Sequence, residues 1–77
     1  MIGNSKTDEK EWAMWFGKNL QDILKTKNIS QQYLAKRLGT TEAMISRYMH
    51  GTAVPSAYKT LQISNIMGCE VDELFKK

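Results

Sequence analysis

The 77-residue sequence contains a single cysteine, Cys69, which excludes an internal disulfide and a cysteine-rich zinc site. It contains one histidine, His50, with no cysteine or acidic residue at ligand spacing, so no metal is expected. No apolar run approaches the roughly 20 residues a membrane span needs. The opening MIGNSKTDEK is polar and lacks the apolar segment of a secretory signal. There is no Ser/His/Asp set, no glycine-rich phosphate loop and no pair of placed carboxylates, so neither catalysis nor a cofactor or small-molecule ligand is expected. Strict polar/apolar alternation is missing too, which removes strands and hairpins. These absences leave a reduced, cytosolic chain, off the membrane and held together by packing alone.

What is present suffices for one small domain. Hydrophobic residues make up 42% of the chain, enough for a single core and too much for a disordered segment. Residues 1–7 read as a flexible tail and 8–77 as the domain. Thr7 followed by Asp8, Glu9 and Glu11 marks a helix start, with acids complementing the helix dipole. Trp12, Trp15, Phe16, Leu20, Ile23 and Leu24 then recur at three- and four-residue spacing, the stripe of a long amphipathic helix ending near Asn28. Trp12 and Trp15 are read as core, with Trp15 partly exposed.

Ser30 is a good cap for a second helix over 31–38, with Leu34, Ala35 and Leu38 inward and Gly39 as its stop. Thr40 and Thr41 supply the cap of a third, 42–49, with Ile45, Tyr48 and Met49 inward and Gly51 closing it. Ser56, after Pro55, caps a fourth over 57–67 that Gly68 ends. Thr60 and Ser64 blur its apolar pattern. A last short turn covers 71–75, where Leu74 and Phe75 either pack inward or form a dimer seam. Cys69 reads as a small buried hydrophobe. The expected fold is a compact all-α bundle of five helices.

Charge is unevenly placed. Residues 12–61 hold seven bases (Lys18, Lys25, Lys27, Lys36, Arg37, Arg47, Lys59) against Asp22 and Glu42, while both flanks are slightly acidic. A basic middle suits a cationic face offered to a polyanion. Within it, two short helices meet at a turn pivoting on Gly39. Ala35 is small where helices must cross closely, and Ile45 locks the second helix onto the first, which are the steric needs of a helix-turn-helix.

The run Ser30-Gln31, Leu34-Ala35, Leu38-Gly39, Ile45-Ser46, Gly51 and Pro55, continuing to Gly68 and Asp72-Glu73-Leu74-Phe75, resembles the Cro/repressor-type (lambda repressor-like, XRE) helix-turn-helix family over residues 16–75. The resemblance implies that the third helix enters the DNA major groove. By position it implies base reading by Thr41, Glu42, Ala43, Ser46 and Arg47. Arg47 suits guanine O6 and N7, Ala43 a thymine methyl and Glu42 cytosine N4, although Glu42 equally reads as an acid favouring the helix dipole. Phosphate contacts are expected from Gln31, Lys36, Arg37, Thr40, His50, Thr52 and Ser56. Where the family often pairs an arginine with a glutamate, this chain has Leu24 and Met49, so an apolar contact is expected instead. The implied function is a transcriptional regulator, a repressor of phage, prophage or plasmid type, binding a pseudo-palindromic operator in double-stranded DNA as a homodimer. An antitoxin or adaptor that uses the same fold to hold a protein is the alternative.

Overall fold

In the computed structural model, which describes residues 5–76, five helices follow one another: α1 (Ser5–Lys27), α2 (Gln31–Leu38), α3 (Glu42–Met49), α4 (Ala57–Met67) and α5 (Val71–Leu74). No strand occurs among the described residues. α1 begins at Ser5, so residues 5–7 of the expected tail are helical. Residues 1–4 of that tail lie outside the described residues.

The helix ends explain why these segments stop where they do. Ser30, Thr41 and Ser56 each sit in extended backbone and accept the N–H of the residue three positions on, satisfying one of the donors a helix start leaves open. Thr41, rather than Thr40, is the cap of α3. Four ends close with one hydrogen-bond pair. At Gly39 its own N–H reaches Lys36 O at 3.3 Å, and the N–H of Thr40 reaches Ala35 O at 2.9 Å. The same pair recurs around Asn28, Gly51 and Gly68, all with positive φ. Gly39, at φ 77°, has open space where a Cβ would go, so it is conformation and not crowding that favours glycine there.

The core joins all five helices. Phe16, Leu20, Leu34, Ile45, Ile63 and Leu74 are fully buried, and Leu24, Ala35, Leu38, Tyr48 and Met67 complete the cluster. Thr60 and Ser64 are buried as well, which resolves the blurred pattern of α4. Each hydroxyl donates to a carbonyl of the same segment, Thr60 to Ser56 O and Ser64 to Leu61 O, both at 2.8 Å. Asn19 Nδ2 donates to Leu74 O and Lys76 O, tying the end of the chain to α1.

One expectation about packing needs correction, and one open alternative is resolved. Trp12 is not core: 47% of it is exposed, and it lies edge-on to Trp15 and Phe75 at the rim. Trp15 is half-buried, as expected. The alternatives for the C-terminus divide between neighbours, Leu74 packing fully inward and Phe75 remaining half-exposed against Phe16 and Trp12. Leu24 and Met49 both belong to the apolar assembly, while the polar tie between their helices comes from elsewhere. Gln21 Nε2 donates to Met49 O at 2.8 Å.

Candidate nucleic-acid interface

The position of α3 is set by its buried flank. Ile45 and Tyr48 face the core, with Tyr48 edge-on to Phe16. α1 then comes very close to the end of α3, and Gly17 makes this possible. A Cβ on Gly17 would stand 2.5 Å from Met49 O and 2.7 Å from Tyr48 O, distances real Cβ atoms do not reach against backbone. With Gln21 holding the Met49 carbonyl, α1 grips the last turn of α3 and leaves its other flank uncovered. Sequence reasoning missed Gly17. The available signal was a glycine inside a strongly helical pattern, which commonly marks a close approach.

On the uncovered flank Thr41, Glu42, Ala43 and Arg47 are exposed and Ser46 is half-buried. The five expected base-reading residues are thus the cap of α3 and four residues of that helix, none of them buried. The Arg47 guanidinium engages no partner among the described residues, so its five donors are unspent. Thr41 Oγ1 accepts the Met44 N–H at 3.1 Å, which leaves its hydroxyl hydrogen free. Glu42, in the first turn, complements the dipole of α3.

The expected phosphate-contacting residues divide by what their polar groups already do. Gln31, half-buried at the start of α2, has a side-chain amide without a partner among the described residues, and Lys36 is exposed. Arg37 folds back along α2. Its Nη1 donates to Tyr33 Oη at 2.9 Å, and its guanidinium carbon lies 5.6 Å from the centre of that ring. Thr52 donates its hydroxyl to Arg47 O at 3.2 Å and its N–H to the same carbonyl, so its donors serve the turn after α3. Ser56 Oγ accepts the Lys59 N–H as the α4 cap and keeps its own hydrogen. Thr40 is half-buried and exposed Thr41 follows it in the turn.

His50 caps the C-terminus of α3, and its ring turns back onto that helix. Nδ1 lies 2.8 Å from Ser46 O and 3.3 Å from Ser46 Oγ. Away from this face, burial raises the pKa of the Cys69 thiol. Glu73 and Glu70 add to the rise and Lys27 opposes it. Cys69 is half-buried and packs against the core, so the thiol form prevails at neutral pH. No group of three or more potential metal ligands occurs among the described residues, and no described helix is long and apolar enough to cross a membrane.

Two short helices joined by a tight turn at Gly39, the second held by its neighbours with a polar flank exposed, define the helix-turn-helix architecture. Residues 20–74 match the helix-turn-helix family model, and the chain belongs to that family, a class of DNA-binding transcription-regulator domain rather than of enzymes. It is 40% identical over 62 residues to the uncharacterized HTH-type transcriptional regulator YqaE of Bacillus subtilis (strain 168), matching 79% of this chain and 53% of that protein. It is 36% identical over 61 residues to the SPbeta prophage-derived uncharacterized HTH-type transcriptional regulator YonR of the same organism, matching 79% of this chain and 56% of the relative. The chain thus spans about half the length of the curated relatives it matches. Among solved structures, the restriction-modification controller protein C.AhdI from Aeromonas hydrophila superposes with a TM-score of 0.76 at 25% identity, over 82% of this chain and 96% of that one.

Proposed function

We propose that this chain is a sequence-specific double-stranded DNA-binding transcriptional regulator of the repressor type, acting in the cytoplasm as a homodimer on a pseudo-palindromic operator. The observation that carries the reading is the exposed flank of α3, which bears an Arg47 guanidinium with no partner among the described residues, while the Gln31 amide at the start of α2 is likewise unspent. In this reading Arg47 reads guanine while Thr41, Glu42, Ala43 and Ser46 complete the base contacts. Gln31, Lys36, Thr40, His50 and Ser56 meet the phosphates, joined by Arg37 and Thr52 if they release their internal bonds. The prophage origin of one relative and the controller role of the structural neighbour favour a small regulator of mobile or self-controlling genes.

The dimer surface proposed is the outer side of α4 and α5. A groove of about 420 Å³ there is lined by Pro55, Ala57, Thr60, Leu61, Val71 and Phe75, and Leu61, Tyr58 and Val54 are exposed on this part of the chain. Two copies joined there would set two α3 helices into successive major grooves about 34 Å apart. A monomer by sedimentation, both free and on a palindromic duplex, would dispose of the dimer.

Duplexes selected from a random pool test the DNA reading. Arg47→Ala is expected to weaken binding to the selected site by about 1–3 kcal/mol and to relax preference at one base pair. Gln31→Ala is expected to weaken all duplexes alike. Both variants binding the selected site as tightly as wild type would overturn the assigned face.

A further inference from the structure

His50 and Ser46 carry an inference that rests on the DNA-binding reading and deepens it. The His50 Nδ1 atom stands 2.8 Å from the Ser46 carbonyl oxygen. A carbonyl oxygen only accepts, and a bare ring nitrogen at that distance would set lone pair against lone pair, so Nδ1 carries a hydrogen. Neutral His50 is therefore the Nδ1–H tautomer, and the doubly protonated ring carries the same hydrogen. The same Nδ1 lies 3.3 Å from Ser46 Oγ, so its hydrogen is shared between the two oxygens. Since Nδ1 has no lone pair left to offer, the Ser46 hydroxyl faces it as acceptor and cannot donate to it. Ser46 Oγ has no other partner among the described residues, and in particular makes no bond back to a carbonyl of α3. Its O–H is left over, on the flank of α3 that points away from the core.

We propose that His50 is a specificity-positioning residue, which sets Ser46 to read the DNA as a hydrogen-bond donor. A serine hydroxyl ordinarily rotates to suit either a donor or an acceptor and so discriminates weakly. Held from one side by an N–H, it presents hydrogen to the base edge, and that polarisation strengthens it as a donor. In the major groove guanine offers N7 and O6, adenine N7 and thymine O4 as acceptors, whereas cytosine offers only its N4 donor. The base facing Ser46 is consequently any base except cytosine. The His50 ring need not touch that base, because it acts through the serine it orients.

The test measures competition binding of the selected duplex against its single-base variants, using wild type, Ser46→Ala, His50→Ala and His50→Asn. Asparagine places an amide N–H near the position of Nδ1 and so restores the donor toward residue 46. Wild type is expected to reject cytosine roughly three- to tenfold at one position, the order of a single uncharged hydrogen bond. Ser46→Ala and His50→Ala are expected to lose that rejection at the same position, and His50→Asn to retain it whatever its overall affinity. Circular dichroism on each variant shows that the fold is kept. If His50→Ala weakens every duplex equally and still rejects cytosine, the positioning role is overturned while the DNA reading stands. If wild type shows no preference among duplexes, the DNA reading itself fails and this proposal falls with it.

Discussion

Both α2 and α4 begin on a serine that accepts the N–H three residues on, and both end on a left-handed glycine with the same pair of backbone bonds. Each is followed by a shorter or equal helix, α3 after α2 and α5 after α4. Their outer surfaces nonetheless differ in kind. The α2–α3 pair shows Gln31, Lys36, Glu42, Ser46 and Arg47, whereas the stretch leading into α5 shows Val54, Tyr58 and Leu61 around an apolar groove. Identical start and stop devices thus carry opposite exteriors. Helix limits are satisfied by backbone groups a few residues apart, while the outward residues are free to suit a partner. In the proposed reading the polar face suits a hydrated, charged partner and the apolar face a second copy of the chain.

That comparison breaks first at the residue both regions share. Leu34, fully buried on α2, also belongs to the cluster containing Ile63 of α4, and Leu34→Ala should cost about 2–5 kcal/mol through lost burial and the cavity left behind. Denaturant unfolding should show one transition lowered for the whole chain. Two separate transitions would mean the halves are independent. Gly17→Ala sharpens the contrast, since the nearest atoms its new Cβ meets are backbone of α3. We expect a loss of about 1–3 kcal/mol, together with weakened DNA binding in the fraction that remains folded, because the end of α3 must shift. Unchanged thermal stability would show that α1 yields at no cost.

Ser30→Ala and Ser56→Ala compare the two caps directly. Each should cost about 1 kcal/mol, and a large inequality in melting temperature would show that the matching geometry hides unequal roles. The smallest effect concerns Cys69. Burial raises its folded pKa, so its contribution to stability is fully present below the ordinary thiol range and is lost as pH rises through the folded value. Alkylation at pH 8 should be slower in the folded chain than in denaturant, and equal rates would contradict the burial.

How much was legible follows the range of the forces involved. The limits of α2, α3 and α4 were readable because Ser30, Thr41 and Ser56 and the closing glycines act within five residues of chain. That 41, 42, 43 and 47 stay exposed while Ile45 and Tyr48 turn inward was readable from helical periodicity. Trp12 was misjudged because periodicity shows which side of α1 faces inward, not how far the other helices extend to cover it. The tie of Arg37 to Tyr33 lies at ordinary i, i+4 spacing, yet whether an arginine bends back or reaches out depends on its surroundings.

By itself the sequence determined an all-helical chain, its stops, its inward stripes and the residues that would line an elbow, since each of these is a property of neighbours along the backbone. Only tertiary structure decided that Gly17 admits the end of α3, that Leu74 turns in while Phe75 stays at the rim, and that the flank bearing Arg47 remains uncovered. Those outcomes depend on helices far apart in the chain competing for the same space, and close packing settles that competition only once all of them are in place.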